Sequence, residues 1–448
     1  MKNLYIATAG LSLLLLSSCG DEANVDLFST IPNNTHFLTV INQHEIFTNC
    51  GENESLARTD LASALETSTT QRGSKQGGEW EYILKDTDGI DPESPIVIYE
   101  YKKATLATFT VTDEKAFREG IARISGETFS EKDDIWSSSN NRIFTHGRQI
   151  WITSGYPELG HIDIKLLSTL KENESIMSVE SARNLLESDA DMVFLYYIRD
   201  LMQYGMVDSN VAMGLNLAYE DPSYVSGYVN FDTSKAEGEA RVLNQKMLPA
   251  KRALSPGKID IDILSASGAK GNLFFATSLS SSTINTVLGQ LQNKAVLPFE
   301  IKEVLQNIDG TIFAAWDTES KSGSIIGKMK DEESARSAAS SLESYGGMFP
   351  FEVEIQNEGD ILKIICGQQE GLPVADVLKN FENSNLGLVF FTENLKGGDF
   401  EDISALVQEL SIALVDADDS SLVKLCLETA SDTNSFIPVL RLLEYCGN

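Results

Sequence analysis

The chain has 448 residues, with 66 Asp and Glu against 35 Lys and Arg, so its formal charge is −31. That balance excludes nucleic acid as a partner, because phosphate backbones are bound through Lys and Arg, and it opposes adsorption on anionic lipid. With 42% hydrophobic residues the chain can bury a core, which excludes wholesale disorder.

Lys2 opens a short positive segment, and Leu4 to Leu16 is an apolar stretch of 13 residues. A bilayer crossing needs about 20, so this length suits the hydrophobic region of a signal peptide. Leu16-Ser17-Ser18-Cys19 follows. An apolar residue, two small residues and a cysteine are similar to the bacterial lipobox, where cleavage precedes the cysteine and its thiol carries diacylglycerol. The expectation is a signal peptide over 1–18, lipidation at Cys19 and a tether over 19–24. The alternative is an ordinary secretory signal with an incidental cysteine. Gly20-Asp21-Glu22 reads either as a solvated tether or as an acidic export signal of the kind borne by surface lipoproteins of Bacteroidetes-type bacteria. The expected location is the cell envelope, at the outer membrane, on its periplasmic face or at the cell surface. No later stretch reaches 18 consecutive apolar residues, so the lipid is the expected membrane contact.

Self-similarity organises the rest of the chain. Val25 to Ser29 aligns with Ile261 to Ser265, and His36 to Val40 falls on Asn272 to Ala276 at the same offset. Each block reads as a lead-in, a turn and a buried strand. Ile90-Asp91 then matches Ile308-Asp309, and Asp113 matches Asp331, each suited to capping a helix. The helix faces are Phe117, Ile121 and Ile124 in one block and Ala335, Ala338, Ala339 and Leu342 in the other. Hairpins follow at Arg142–Thr145 with Gln149–Thr153 and at Phe351–Ile355 with Ile361–Ile365, the second with a turn over Gln356 to Asp360. Met192 to Leu195 pairs with Leu388 to Phe391, and Ser226 to Thr233 with Leu422 to Thr429. The expected fold class is α+β: two tandem similar halves, each a mostly antiparallel sheet packed with helices. The expected boundaries are a first repeat domain over 25–245, a linker over 246–258 flanked by Pro249 and Pro256, and a second repeat domain over 259–448.

With those blocks in view, the chain resembles an uncharacterised family of Bacteroidetes-type envelope lipoproteins. The resemblance rests on Ile31-Pro32-Asn33-Asn34-Thr35-His36-Phe37, on Gly89-Ile90-Asp91 with Pro95-Ile96-Val97-Ile98-Tyr99, and on Ile308-Asp309-Gly310-Thr311-Ile312-Phe313. It is weaker at Ser267-Gly268, where the family's second copy often keeps Ile-Pro. The resemblance implies an envelope lipoprotein and transfers no catalytic residue.

Motifs with chemistry are sparse. Ser267-Gly268-Ala269-Lys270 and Lys321-Ser322-Gly323 mimic the serine and lysine elements of penicillin-recognising enzymes, but only 54 positions separate them. His36, His44, His146 and His161 have no zinc spacing, and Cys50, Cys366, Cys426 and Cys446 form no C-x-x-C pair. Free thiols are expected, with a Cys426–Cys446 bridge as the alternative. Asp86, Asp88 and Asp91 in one loop, and Asp416, Asp418 and Asp419 in another, are candidate calcium ligands, although neither loop fits the EF-hand pattern. Tyr224 and Tyr228 share one face of a strand and form the candidate binding surface. No cofactor, metal or nucleic acid is expected; a protein or glycan ligand is left open, its identity not legible in the sequence. The expected function is a lipid-anchored, non-catalytic binding or scaffold module. The alternative is an envelope or surface hydrolase with its site in the cleft between the halves.

Overall fold

The computed structural model describes residues 27–71, 83–84, 89–102, 104–126, 128–132, 135–138, 141–154, 164–203, 209–254, 256–291, 299–343, 352–392, 404–417, 420–430 and 434–447. The first half carries β1 (Phe37–Ile41), β2 (Ile96–Tyr101), β3 (Ala104–Thr110), β4 (Ser130–Lys132), β5 (Ile135–Ser137), β6 (Asn141–His146), β7 (Gln149–Ser154), β8 (Met192–Tyr197), β9 (Tyr224–Asp232) and β10 (Lys235–Leu243). Its helices are α1 (Gln43–Cys50), α2 (Glu54–Gln71), α3 (Glu114–Ser125), α4 (Glu180–Leu186), α5 (Ile198–Gln203) and α6 (Ser209–Ala218). The second half carries β11 (Lys270–Gly271), β12 (Leu273–Leu279), β13 (Ile308–Asp317), β14 (Ser322–Met329), β15 (Val353–Glu358), β16 (Ile361–Cys366), β17 (Leu372–Pro373), β18 (Ser384–Phe391), β19 (Val407–Ala417) and β20 (Ser420–Thr429). Its helices are α7 (Ile261–Ala266), α8 (Ser281–Leu291), α9 (Phe299–Gln306), α10 (Glu332–Glu343) and α11 (Phe436–Gly447). The fold class is α+β.

Helix starts follow local chemistry. Asp113 has extended backbone, and its carboxylate accepts the Ala116 amide at 3.0 Å, opening α3. Asp331 does the same for the Ser334 amide at 2.7 Å before α10. Phe117 and Ile121 of α3 are buried, as are Ala335, Ala338, Ala339 and Leu342 of α10. Gly126 closes α3 in the left-handed region that glycine tolerates. The β15–β16 turn is shorter than expected. Strand β15 runs on to Glu358, leaving only Gly359 and Asp360 between the strands, with Gly359 at φ +58°.

All the long strands pair antiparallel in one sheet of 18. The pairings run β4–β5–β6–β7–β3–β2–β1–β8–β9–β10–β20–β19–β18–β12–β13–β14–β16–β15. Outward from the centre, the first half reads β10, β9, β8, β1, β2, β3, β7, β6. The second reads β20, β19, β18, β12, β13, β14, β16, β15. Position by position, β9 therefore stands opposite β19 and β10 opposite β20. This corrects the matching of Ser226–Thr233, in β9, with Leu422–Thr429, in β20: similar alternation misaligned the block by one strand. The two halves share one sheet, joined from Lys235↔Glu428 to Arg241↔Leu422. The segment over 246–258 is hydrogen-bonded to both. The Ala253 amide donates to Ala218 and the Glu220 amide to Lys251, while the Gly257 amide donates to Ser278.

Alternation along each strand sorts side chains onto two faces. On one face, Leu38, Val97, Trp151 and Val193 pack with Leu167, Ile176, Ala182 and Leu186 in the first half. In the second half, Phe274, Phe313, Ile326 and Val389 pack with Leu264, Val374, Val377 and Phe381 on the same face. On the opposite face, α1–α3 and α11 cover Ile41, Ile98, Phe109, Phe231 and Leu427, while α8 and α10 cover Ile308, Met329 and Leu362. Each fully buried side chain of this size contributes roughly 1.5–3 kcal/mol of apolar burial.

Candidate functional site: a charged trough at the seam

Neither half's covering layer on the first face closes over the central strands. There β9, β10, β20 and β19 present alternate residues in three cross-strand rows. The rows are Tyr228–Glu239–Lys424–Ala413, Asn230–Glu237–Cys426–Ser411, and Asp232–Lys235–Glu428–Glu409. Strict alternation makes the floor: Lys235, Glu237, Glu239 and Arg241 occupy every second position of β10, so they share one face. Lys379 and Asn380, in the 3-10 turn Leu378–Phe381, border the floor on the side of the second half. The floor and this border enclose a cavity of about 490 Å³. Tyr228 and Glu239 also line an adjoining cavity of about 430 Å³, walled by α4 and Leu248 on the side of the first half. Two neighbouring cavities thus meet at the seam.

Most of the floor's charges are paired. The Lys235 ammonium lies 2.5 Å from Glu237, and this hydrogen bond raises its pKa. Lys424 lies 3.8 Å from Glu239, and the Asn380 amide donates to Glu409 at 2.6 Å. Burial, followed by the charge of Glu239, pushes the Tyr228 phenol up. Burial also pushes up the Cys426 thiol, opposed by Lys235, so the sulfur is kept as a thiol at neutral pH and is a poor nucleophile. Among the described residues, Lys379 and Glu428 have neither an ion-pair nor a side-chain hydrogen-bond partner.

The structure separates the two tyrosines singled out in the sequence. Tyr228 lies on the trough floor. Tyr224 is 6% exposed, its ring 5.0 Å from that of Tyr197 in the first-half core, so it presents no binding surface. Ser226 does lie between them, on the same face. Of the calcium candidates, Asp91 is bound by Arg148 at 2.7 Å and accepts the Glu93 amide at 3.2 Å. Asp416 belongs to β19 and lies 2.6 Å from Arg252. Asp86, Asp88, Asp418 and Asp419 lie outside the described residues, as does Cys19. No group of three or more metal-binding side chains is assembled among the described residues.

The other motifs resolve into local structure. The Ser267 hydroxyl donates to the Leu264 carbonyl at 2.5 Å and accepts the Ala269 amide at 3.1 Å, closing α7. His36 pairs with Asp200 at 3.0 Å and His44 with Glu93 at 3.3 Å, both away from the trough. Cys426 is unbridged, and Cys50 and Cys366 are buried thiols. Lys235, Glu239, Lys379, Glu409, Lys424 and Glu428 were not picked out by sequence reasoning. The alternating charges of β10 were visible there, but such alternation ordinarily marks a solvated face, and only the β10–β20 pairing makes it a cavity floor.

No family model and no curated protein matches the chain. Among solved structures it is similar to crystal form I of TP0453, with a TM-score of 0.33 and 9% identity over 80% of this chain and 96% of that one. Crystal form III of the same protein gives a TM-score of 0.30 and 7% identity over 80% and 98%. Likeness at this level assigns neither fold nor function to the chain. No helix among the described residues is long and apolar enough to cross a membrane.

Proposed function

We propose that the protein is a lipid-anchored envelope component, held through Cys19, that binds a polar ligand without transforming it. The observation that carries this reading is the seam trough, where four strands bare a charged floor with one aromatic side chain beside a cavity of about 490 Å³. Cavities of this size suit ligands of small-molecule or short-polymer scale. The shared strand order supports a further element of the proposal, that the two halves arose by duplication of one α+β unit. The trough would then be a product of joining them.

The hydrolase reading draws on the trough's four carboxylates, Glu237, Glu239, Glu409 and Glu428. Hydrolysis by carboxyl groups needs a pair of them, one to give a proton and one to act as base or nucleophile. Glu237 and Glu239 are held by lysines and Glu409 by an amide, so Glu428 is left without a second free carboxyl group to work with. The His36–Asp200 pair lies elsewhere. Binding is therefore the reading the geometry favours.

The test is ligand retention by the purified full chain, presented neutral oligosaccharides and short peptides. The paired exchange Tyr228→Ala with Lys424→Ala removes the floor's aromatic side chain and leaves Glu239 without its lysine, and it should lower retention of the bound class at least about tenfold. Unchanged retention in a folded variant would overturn the trough as the site. Release of a cleaved product would turn the assignment to the hydrolase.

A further inference from the structure

We propose that the trough, taken as the binding site above, accepts an amphoteric ligand: a short peptide with a free ammonium group and a free carboxylate. The ammonium is received by Glu428 beside Glu409, and the carboxylate by Lys379.

The argument is one of charge left over. Seven charged side chains line the cavity: Lys235, Lys379, Lys424, Glu237, Glu239, Glu409 and Glu428. Lys235 is matched to Glu237 and Lys424 to Glu239, and the Asn380 amide occupies Glu409. Lys379 remains without an anion, and Glu428 remains without a cation in contact: Lys235, across the strand from it, acts on it only at longer range while its ammonium is held by Glu237. Lys379 and Glu428 are not within 4 Å of each other, so they do not neutralise one another.

Register strengthens the anionic end. Glu409 and Glu428 are direct cross-strand partners on the floor. Like charges placed opposite each other destabilise a sheet, and a cation seated between them reverses the sign. Lys379 stands next to Asn380, whose amide holds Glu409, so the unpaired cation borders the same end of the cavity. A polyanion would meet four carboxylates and a polycation three ammonium groups. The hydroxyls of a neutral glycan can hydrogen-bond to Lys379 and Glu428 but bring no opposite charge, which makes the weaker contact. A ligand with one charge of each sign satisfies both groups.

The experiment exposes immobilised full chain to a mixture of unblocked tetrapeptides, to the same mixture acetylated at the amino end, to the same mixture amidated at the carboxyl end, and to maltotetraose. Retained material is quantified by mass spectrometry. The unblocked mixture should be retained, and either block should reduce retention about tenfold or more, the loss expected for one charge-assisted contact. Glu428→Gln should abolish discrimination at the amino end only, and Lys379→Met at the carboxyl end only. Lys379 is exposed, so its variant should keep the wild-type melting temperature, and Glu428→Gln should keep or raise it, because it removes the like charge opposite Glu409. Equal retention of blocked and unblocked peptides, or retention of maltotetraose alone, would overturn the amphoteric ligand and leave the trough as a site. Retention of nothing, or retention indifferent to Tyr228→Ala with Lys424→Ala, would overturn the trough itself.

Discussion

A β-carbon built on Gly89 would stand 2.4 Å from the carbonyl oxygen of Asp113 and 2.7 Å from the amide nitrogen of Phe117. Gly89 also sits at φ +84°, and its own carbonyl accepts the amides of Thr112 and Asp113. The residue is thus pressed against the first turn of α3, where only hydrogen fits. This gives the Gly89-Ile90-Asp91 motif a physical basis: Gly89 seats the helix, Ile90 is buried and Asp91 is fixed by Arg148. Gly89→Ala should destabilise the fold by about 2 kcal/mol or more, combining backbone strain with a backbone clash. Urea unfolding checks this, and a loss below about 0.5 kcal/mol would show that the turn relaxes freely.

Features set by near neighbours were legible in the sequence. Asp113 and Asp331 announce their helices because a cap acts over three residues, and the apolar spacing of Phe117 and Ile121 fixes which side of α3 is buried. Long-range pairing was not legible. Ser226–Thr233 and Leu422–Thr429 look equivalent because both alternate, and alternation records a half-buried face without naming the neighbouring strand. The same limit hid the trough. Lys235 and Glu239 read as solvated charges until Glu428 and Lys424 are known to lie across from them. Tyr224 erred in the opposite sense: it shares a face with Tyr228, but the first-half core buries Tyr224, whereas Tyr228 packs at the edge of that core and stays half-buried beside the cavity.

Ile325 and Ile326 are neighbours on opposite faces of β14. Ile326 is 2% exposed and packs with Phe313 and Val389, whereas Ile325 is 41% exposed. Ile326→Ala should cost about 2–4 kcal/mol, the usual loss for a buried aliphatic side chain. Ile325→Thr, which keeps the β-branch, should cost less than about 1 kcal/mol. Equal costs in chemical denaturation would mean that the face assignment along β14 is wrong.

The thiols should separate by position. Burial, reinforced by Glu54 and Asp191, pushes Cys50 up to about 11, and Cys366 is raised by burial alone. Both are buried, while Cys426 is half-buried on the trough floor. At mildly alkaline pH a water-soluble disulfide reagent should modify Cys426 first, with Cys50 and Cys366 reacting only on unfolding. Peptide mapping by mass spectrometry identifies the sites. Early labelling of Cys50 would contradict its placement beneath α2.

Anchoring is tested at Cys19. The signal-like stretch before it is too short to span a bilayer, so the thioether-linked lipid is the proposed attachment. Cys19→Ala should leave the membrane fraction and either retain the leader or be miscleaved. A variant that still sediments with membranes as wild type does would place the attachment elsewhere in the chain.

Asp191 provides a pH test of the junction between β1, β8 and β9. It is 7% exposed, its carboxylate accepts the Phe231 amide at 2.6 Å, and its carbonyl accepts the Asn42 amide at 2.9 Å. Burial raises its pKa above the ordinary 3.8, and Glu45 and Asp232 add to the rise against the opposing pull of the Phe231 amide. A raised folded value means that the native state binds more protons than the unfolded chain between 3.8 and that value. Stability therefore falls as pH rises through this window, and below it the contribution is constant. In Asp191→Asn the amide oxygen can still accept from Phe231, but nothing titrates. The stability of the variant minus that of wild type should thus increase with pH across the window and then level off. Taking the difference cancels the charge repulsion of the acidic chain and the opposite contribution of Asp331, whose pKa is lowered by the Ser334 amide. Urea unfolding of both proteins from roughly pH 3.5 to 7 measures it. A difference that stays constant over that range would mean that Asp191 titrates as an ordinary carboxyl group and that water reaches the junction.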